Sequence, residues 1–220
     1  MSKGAADTAA STELGPGSYF TTPDDSQLAD AGNGALSKER PTGGIFGGFW
    51  KQYGDVLVGV EASANSLSID DSRSQTVTYI SAPPAQFNLR QSVKADWQGT
   101  LRLRLGYAQE NWLAYLTGGA AVTRVKLDSS FSDNYVQAAI AQGSDTETKF
   151  GWTVGAGGEY ALNERWSIRA EYLYVDFGRV ESRSVLTNPA FPGLSNILTN
   201  SADLKTHTLT IGLAYRFIGL

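Results

Sequence analysis

The sequence predicts an all-β chain in which eight strands form an antiparallel up-and-down transmembrane β-barrel. Three observations predict this fold class: strand-like segments alternate apolar and polar residues, connections alternate between very short and long, and aromatic residues collect at strand ends. The hydrophobic fraction of 41% resembles that of a soluble protein. A membrane barrel reaches the same average, because its apolar and polar faces are counted together.

Composition narrows the function classes before any motif is considered. The chain contains 24 Gly, 10 Tyr, 9 Phe and 5 Trp, which is typical of β-rich proteins with tight turns. It has no Cys, so neither a disulfide framework nor thiol chemistry is available. A net charge of −4 offers no electrostatic footprint for nucleic acid, and no apolar run approaches the roughly 18 residues of a spanning helix.

The first residues, 1–42, are predicted to be a flexible polar arm that could contain a cryptic first strand. They are rich in Ala, Ser, Thr, Gly and Asp and show no sustained period. Gly17–Thr22 is the best strand candidate, and Pro23 signals the start of a short helix over Asp25–Ala31. No secretory signal is visible at Met1, so we expect a mature, truncated or engineered form of an exported protein.

The barrel is predicted to cover residues 43–220, and seven of its strands can be recognised. Each is about as long as a tilted membrane strand, about 9–11 residues or somewhat more. The recognised strands are Gly44–Tyr53, Asp55–Asn65, Trp97–Ala108, Trp112–Leu127, Lys149–Leu162, Arg165–Asp176 and Lys205–Phe217. Because a single-chain barrel requires an even number, an eighth strand is expected before Gly43.

The connections between these strands alternate in length, as they do when short turns face one side of the membrane and loops the other. The short ones are Gly54, Gln109–Asn111 and Asn163–Glu164, and the long ones are Ser66–Asp96, Asp128–Thr148 and Phe177–Leu204. The long connections are predicted to be extracellular loops anchored by the barrel. A soluble sandwich has less reason to sort its connections in this way.

Each strand has two chemically distinct faces when it is read with a period of two. In Trp97–Ala108, for example, Leu103 lies on the apolar face and Arg102 on the polar face. The polar face is predicted to line the lumen, where buried charges survive only when they are paired. The predicted lumen charge network contains Glu61, Arg102, Arg104, Glu159, Arg169, Glu171 and Arg216. Such a plug argues against an open pore.

Aromatic residues on the apolar face are predicted to form two belts at the two membrane interfaces. Amphipathic rings favour the headgroup level of a bilayer, whereas a soluble core gives no reason for them to collect at strand ends. The predicted interface residues are Trp97, Trp152 and Tyr174 toward the long connections, and Tyr107, Trp112, Tyr160, Trp166, Tyr215 and Phe217 near the short turns or the carboxyl end.

Several segments, in the right order, resemble the porin-like outer-membrane immunogenic protein family. They are Trp112–Ala121, Gly151–Tyr160 and Trp166–Gly178, with Phe46–Glu61, Arg102–Tyr107 and Leu213–Phe217. The resemblance covers most of residues 43–217 and implies an eight-stranded barrel, related to the OmpA membrane domain, in the cell outer membrane. The sequence departs from the family in lacking a visible aromatic first strand, and Phe217 is followed by Ile218-Gly219-Leu220.

The candidate reactive residues do not form a recognisable catalytic or metal-binding pattern. His207, the one histidine, is predicted to lie outward at the rim of the long connections. The carboxylates of the long connections lack ligand spacing and are expected to be solvated, and they include Asp128 and Asp133. Gly155–Gly158 lies within a strand, so it is not a phosphate loop. The sequence therefore predicts no enzyme activity, no cofactor and no metal.

Three functional hypotheses remain, and the first is favoured; a fourth possibility is that the chain is a soluble barrel or a misassembled fragment. The protein is expected to be a structural anchor that displays loops for envelope integrity or adhesion, with outer-membrane lipid, lipopolysaccharide, the barrel-insertion machinery and surface ligands of the host or environment as partners. The alternative is a small porin or channel for ions or small solutes. An outer-membrane enzyme that uses His207 is the third. The sequence indicates no oligomeric state.

Overall fold

The computed structural model describes residues 1–217, so the residues after Phe217 lie outside it. The described residues form one antiparallel sheet of nine strands, in the order β2-β1-β9-β8-β7-β6-β5-β4-β3, with one helix. The elements are β1 Ser2–Thr12, α1 Thr22–Gly32, β2 Gly34–Arg40, β3 Gly44–Tyr53, β4 Val56–Thr78, β5 Gln86–Gln109, β6 Trp112–Asp133, β7 Ile140–Ala161, β8 Trp166–Thr187 and β9 Ser195–Tyr215.

The strands follow an up-and-down path that amounts to eight strand positions. From β3 to β9 each strand pairs with the next along the chain, and β1 pairs with β9 on one side and β2 on the other. Strand β2 runs into β3 through residues 41–43, and Arg73 of β4 donates to the carbonyl of Asn33 just before β2. Strands β2 and β3 therefore occupy one position between β1 and β4.

Residues 1–42 differ from the predicted arm, because both β1 and β2 belong to the sheet. Strand β1 forms a ladder with β9 from Ser2↔Thr208 to Thr12↔Leu198. The strand suggested at Gly17–Thr22 is wrong: this segment is a turn that leads into α1. The helix begins after Thr21, whose backbone N–H donates to the Asp24 carboxylate at 3.0 Å. No helix of the described residues is long and apolar enough to cross a membrane.

The long connections of the sequence prediction are mostly strand. Strands β4 to β9 contain 21 to 24 residues each, about twice the length needed to cross a bilayer. The true connections at this end are residues 79–85, 134–139 and 188–194. The barrel wall therefore continues well beyond the segments recognised in the sequence, although β7 and β8 form no pairs between Ile140↔Thr187 and Trp152↔Asp176.

The two halves of this long barrel have opposite polarity. In the half near the short turns, Leu103 of β5 points outward and is 68% exposed, whereas Arg102 points into the lumen and is 2% exposed. Further along β5, Val93 is completely buried in the lumen and Lys94 faces outward. We call the first part the membrane half and the second the outer half. An apolar exterior suits lipid, and an apolar interior suits water outside.

Strand irregularities lie where the polarity changes. Strand β5 changes register against β6 between Ala95 and Gln98, and Asp96 and Trp97 both face outward as a result. Strand β8 changes register against β9 at Phe177 in a similar way. A β-bulge of this kind inserts one extra residue and shifts the phase of the side chains. The bulges thus allow the outward face to change from apolar to polar, and the inward face from polar to apolar, at the same height in the barrel.

The outer half has a hydrophobic core of its own. Its inner layer is formed by residues such as Val93, Val125, Leu127, Val175 and Leu204, all completely buried. Above it, an outer layer contains aromatic and aliphatic side chains together with α1. That layer includes Phe20, Leu28, Tyr79, Phe87, Leu89, Phe131, Leu186 and Leu198. Helix α1 thus packs as part of the outer end of the barrel.

Candidate functional site: the lumen network and the outer end

The lumen of the membrane half holds a cluster of buried charges because successive residues of a strand point to opposite faces. Strand β4 contributes Glu61, and β5 contributes Arg102 and Arg104, two residues apart on one face. Strand β8 contributes Arg169 and Glu171 with the same spacing. Glu159 of β7 lies at the side of the group. The six side chains therefore meet from four strands.

Glu61 is the centre of this cluster. Its carboxylate accepts two bonds from Arg169, at 2.6 and 2.8 Å, and further bonds from Arg102 and Arg104. Arg102 also donates to Glu171 at 2.8 Å, and Arg169 donates to the same carboxylate. Bidentate guanidinium–carboxylate pairs of this kind are the strong ion pairs of proteins. One buried carboxylate thus links three cations.

Arg104 connects the cluster to β7. Its second amino group donates to Glu159 at 2.7 Å, and Ser167 donates to the other oxygen of that carboxylate at 2.5 Å. Three guanidinium groups then balance three carboxylates, so the buried network has no formal net charge. This balance matters because an unpaired buried charge is strongly destabilising.

Aromatic rings also contact the arginines of this network, through cation–π interactions and not through ion pairs. The Arg104 guanidinium lies 3.7 Å from the ring centre of Tyr115 and 5.1 Å from that of Trp50. Arg169 lies 4.3 Å from the ring centre of Phe46. The sequence analysis missed these contacts, although Phe46 and Trp50 do occupy polar-face positions of β3. Cation–π contacts are worth about 0.5–2 kcal/mol each, depending on desolvation.

Arg216 differs from the prediction, because it does not join the lumen network. Strand β9 ends at Tyr215, and Arg216 follows it as an exposed residue. Its backbone N–H donates to the carbonyl of Arg165 at 2.8 Å. Beyond the end of the strand, the alternation that holds a side chain on the lumen side no longer applies.

The aromatic residues assigned to the interfaces lie on the outward face at two heights. Toward the outer half, Trp152 and Tyr174 pack with ring centres 5.3 Å apart. Near the short turns, Tyr215 packs against Trp166 and Phe217, at 5.0 Å in each case. The other residues of the prediction that are exposed on this face are Trp97, Tyr107, Trp112 and Tyr160.

A second polar centre, at the outer end, was missed by the sequence analysis. Asp133 was expected to be a solvated loop carboxylate, but it ends β6 and is buried. It accepts hydrogen bonds from the hydroxyls of Tyr19 and Tyr79 at 2.8 and 3.0 Å and from the backbone N–H of Ala139 at 2.7 Å. Asp133 thus ties the residues before α1 to two connections of the barrel.

Burial and the Asp133 carboxylate perturb both tyrosines of this centre. Burial, followed by the hydrogen bond to Asp133, raises the pKa of Tyr19 above its ordinary value of 10.0. Burial, followed by the charge of Asp133, raises the pKa of Tyr79 in the same direction. Both phenols are therefore held in the neutral, hydrogen-bond-donating form.

His207 lies on the outer surface of β9, among aromatic residues. Its Nδ1 is 2.7 Å from the hydroxyl of Tyr172, and its ring centre is 5.1 Å from that of Tyr174. His207 therefore lies beside Tyr174, which belongs to the group of interface aromatic residues toward the outer half, and not in the lumen. Within residues 1–217, no group of three or more His, Asp or Glu side chains is arranged to hold a metal ion.

An antiparallel barrel with an apolar outward face and a charged interior defines an outer-membrane β-barrel protein. The family model described as "Outer membrane protein beta-barrel domain" matches residues 1–217, and the chain belongs to this family. The match includes residues 1–42, in agreement with the pairing of β1 and β2. The protein is located in the cell outer membrane.

Proteins of similar sequence are also named as outer-membrane proteins. The 31 kDa outer-membrane immunogenic protein of Brucella melitensis is 35% identical over 177 residues, which cover 80% of this chain and 65% of that protein. The 25 kDa outer-membrane immunogenic protein of Brucella abortus is 28% identical over 186 residues, covering 84% and 69%. The chain therefore spans just under two thirds of the length of the first relative.

Solved structures of outer-membrane proteins also align with the chain. The crystal structure of Ail, the attachment invasion locus protein of Yersinia pestis, aligns with a TM-score of 0.41 and 15% identity. The alignment covers 98% of this chain and 95% of that one.

Proposed function

We propose that the protein is a membrane-anchored surface platform, whose role is structural and interactive and not catalytic. The membrane half lies in the lipid. The outer half extends the β-sheet beyond the membrane and ends in α1 and the connections 79–85, 134–139 and 188–194. Its partners in this role are the outer-membrane lipid, including lipopolysaccharide, and surfaces outside the cell. The barrel-insertion machinery would be its partner during assembly.

The observation that carries this proposal is the reversal of polarity along the strands. About ten residues of each long strand lie beyond the reversal, which corresponds to about 25 Å of height at a tilt of about 40°. In that region the polar face is outward and the apolar face is packed inside. A segment of this kind is stable in water only, so it supports a projection beyond the membrane.

The outer end also exposes apolar side chains in a region assigned to water. Ile80 is 67% exposed and Val136 is 52% exposed, and Tyr135, which is 37% exposed, donates its backbone N–H to Asp133. Exposed apolar groups in a polar surrounding are typical of contact surfaces. We assign the contact function to this end of the barrel.

The packing of the lumen argues against the channel alternative. An ion would meet the Glu61 network in the membrane half, then the layer of Val93 and Leu127, then the aromatic layer around Phe87. No wetted path is offered by two successive layers of buried apolar side chains. We therefore expect no stable conductance when the protein is reconstituted in planar bilayers, and regular single-channel steps would contradict the plugged lumen.

Single-cysteine labelling tests the platform directly, because the chain has no native Cys. On intact cells, a maleimide on a polymer too large to cross the outer membrane should label Ser26→Cys in α1 and Ser132→Cys at the end of β6. It should not label Leu103→Cys on the lipid face or Asn111→Cys in a short turn. Labelling of Asn111→Cys with Ser26→Cys protected would reverse the orientation and refute the platform.

A matched pair of variants tests the contact role. Cells that produce the Ile80→Ser/Val136→Ser variant should attach less well to host-cell monolayers or abiotic surfaces than cells with the unmodified protein. Cells with Ser132→Ala, which changes the polar side of the outer wall, should attach as the unmodified cells do. Equal attachment of all three, at equal surface amounts, would remove the adhesive part of the proposal.

A further inference from the structure

We propose that the outer end of the barrel contains a pocket that binds a quaternary ammonium group, of the kind that choline and its esters carry. The site deepens the proposed contact role, and only its access from outside the cell rests on that proposal. Binding to the pocket can be measured on the purified protein, whichever way the barrel is oriented in the membrane.

The pocket lies at the tip of the barrel, between the residues before α1 and the three connections of this end. Its volume is about 280 Å³. Sites for drug-sized ligands have roughly 300–1,000 Å³, so this one suits a small group. The lining includes the rings of Tyr19, Tyr79, Tyr135 and Phe191 and one carboxylate, that of Asp24.

The outer end has no cationic side chains of its own. None of the 18 Lys and Arg residues of the chain lies in the segments that form this end, which are 12–33, 75–89, 131–141 and 184–198. The same segments contain five carboxylates, those of Glu13, Asp24, Asp25, Asp30 and Asp133. The electrostatic potential at the mouth of the pocket is therefore negative, and it attracts cations.

Two of these carboxylates, Asp24 and Asp133, are buried. Among the described side chains neither has an ion-pair partner, because the ion pairs lie further down the barrel. The N-terminus of α1 offsets part of the charge of Asp24. Asp133 lies behind Tyr19 and Tyr79, whose hydroxyls donate to it. The aromatic pocket thus has negative charge beside it and behind it.

Three of the rings in the lining are neighbours that the structure holds in place. The ring centre of Phe191 lies 6.4 Å from that of Tyr19 and 6.2 Å from that of Tyr135. The amide of Asn188 donates to the hydroxyl of Tyr19 at 3.1 Å and to the carbonyl of Tyr135 at 3.2 Å. Aromatic faces attract quaternary ammonium groups, and rings that are fixed before binding lose little entropy when the ligand arrives.

The two carboxylates favour a cation without N–H groups, because most of their acceptor positions are occupied. Asp24 accepts from the backbone N–H and the hydroxyl of Thr21, at 3.0 and 2.6 Å, and from the hydroxyl of Ser81 at 2.6 Å. Asp133 accepts four hydrogen bonds, and a carboxylate has about four acceptor positions. A lysine ammonium would lose hydration here without finding new acceptors, whereas a methylated ammonium has no N–H to satisfy.

A divalent metal ion fits this pocket less well. Calcium takes about 6–8 oxygen ligands, whereas the oxygens of Asp24 already accept hydrogen bonds from the protein. Among the side chains that the structure describes, no group of three or more His, Asp or Glu is placed to hold a metal ion. The negative potential and the aromatic lining therefore favour an organic cation.

The test uses the full chain, refolded in nanodiscs of phosphatidylethanolamine and phosphatidylglycerol, which contain no quaternary ammonium. Choline is the probe, and dimethylbutanol, in which carbon replaces the nitrogen, is the neutral control of the same shape. In calorimetric titration, choline should bind at least about tenfold more tightly than the alcohol. Equal affinities, no detectable binding of choline, or displacement of choline by equimolar Ca²⁺ would each overturn the proposal.

A matched pair of variants assigns the binding to the pocket. Asp24→Asn removes the charge from the lining and keeps the shape of the side chain, whereas Asp25→Asn removes the same charge outside the lining. The affinity for choline should fall about tenfold in Asp24→Asn and in Phe191→Ala, and should change less than about twofold in Asp25→Asn. Equal losses in the two Asn variants would reduce the effect to net charge and overturn the site. If Asp24→Asn does not refold, the comparison of choline with dimethylbutanol on the unmodified protein decides.

Sedimentation with sucrose-loaded vesicles distinguishes the two sources of the ammonium group. If the nanodiscs sediment with phosphatidylcholine vesicles but not with phosphatidylethanolamine vesicles, and choline reverses this, the ligand is a lipid headgroup. Binding of free choline without sedimentation assigns the site to a soluble molecule, and either result supports the pocket. A failure of choline binding leaves the membrane-anchored platform intact, because cysteine labelling tests the platform independently. An inverted orientation on cells would refute the platform and leave choline binding by the purified protein unchanged.

Discussion

At the scale of single residues, Glu61 has the largest role in the membrane half. It is completely buried and accepts hydrogen bonds from Arg102, Arg104 and Arg169. Removing one partner from a buried network leaves the others without compensation, which costs far more than the net gain from forming the pair. The sequence indicated this residue because its position in the alternation put a carboxylate on the face with the arginines.

Glu61→Ala should therefore lower the free energy of unfolding by about 3–5 kcal/mol, since three buried cations lose a shared carboxylate. The measurement is urea unfolding in lipid vesicles. Glu164→Ala, in an exposed short turn, is the control and should stay within about 0.5 kcal/mol of the unmodified protein. A similar small effect for Glu61→Ala would show that the network adds nothing to stability.

Tyr79 provides a residue-scale prediction on pH. Its pKa is raised above 10.0 in the folded chain, so the unfolded chain ionises first as the pH rises. The stabilising contribution is fully present below pH of about 10 and decreases above it. The unfolding free energy should fall between pH of about 10 and 12, and less steeply in Tyr79→Phe. Tyr53→Phe, on the exposed end of β3, should follow the unmodified curve, and identical curves for all three would exclude Tyr79 as the cause.

At the scale of elements, each of the seven segments recognised in the sequence coincides with a strand of the structure to within two residues at the end near the short turns, but most of the outer half of β4 to β9 was not recognised. The membrane halves alternate strong apolar residues with polar ones, as Leu101 and Arg102 do in β5. Beyond Trp97 the outward residues are polar and the inward ones apolar, and the bulge shifts the phase. Because the polarity of the two faces reverses and the alternation shifts by one residue, the outer part of each strand resembles a loop when only the sequence is considered.

The reversal of polarity predicts opposite tolerance of the two halves to charge. Leu103→Arg, on the lipid face of β5, should destabilise the barrel by about 2–4 kcal/mol, because the guanidinium enters hydrocarbon. Ser132→Arg, on the outward face of β6 in the outer half, should change stability by less than about 0.5 kcal/mol. Reversible folding into vesicles of defined thickness measures both, and equal costs would contradict the assigned membrane boundary.

The elements of the outer end were the hardest to predict. Strand β1 consists of small and polar residues such as Ala5, Ala6 and Thr8, which carry no strand signal of their own. It is a strand because it pairs with β9 from Ser2↔Thr208 onward. Asp133 likewise became recognisable as a structural residue only when Tyr19, which is distant in sequence, was brought beside it. Long-range pairing decides both cases.

At the scale of the whole molecule, the chain combines a membrane barrel and a water-exposed barrel in one continuous sheet. The strands pass through the boundary without interruption, and the two halves are filled by different means: ion pairs around Glu61 below, and apolar layers around Val93 above. The sequence predicted the class, the outer-membrane location and the family correctly. It did not predict that the strands extend beyond the membrane half into the outer half.

Apart from the stretch between Ile140↔Thr187 and Trp152↔Asp176, where β7 and β8 form no pairs, the outer half consists of paired strands, and this predicts its resistance to trypsin. Its Lys and Arg residues, such as Arg90, Lys94 and Lys126, lie within paired strands and not in loops. In sealed vesicles the full-length band should persist under native conditions, and the same sites should be cut after unfolding in urea. Rapid trimming to fragments that end at these residues would restore the loop interpretation.

The reversal of polarity also divides the residues of the outer half into two sets that can change independently. The inward side chains, such as Leu127 and Leu204, maintain the fold. The outward side chains, such as Lys126 and Asp203, contact mainly water and neighbouring charged side chains on the same outward face. A macromolecule that binds the outer wall from outside would contact the second set alone. Substitutions on the exterior therefore cost little folding free energy and require no compensating change in the interior.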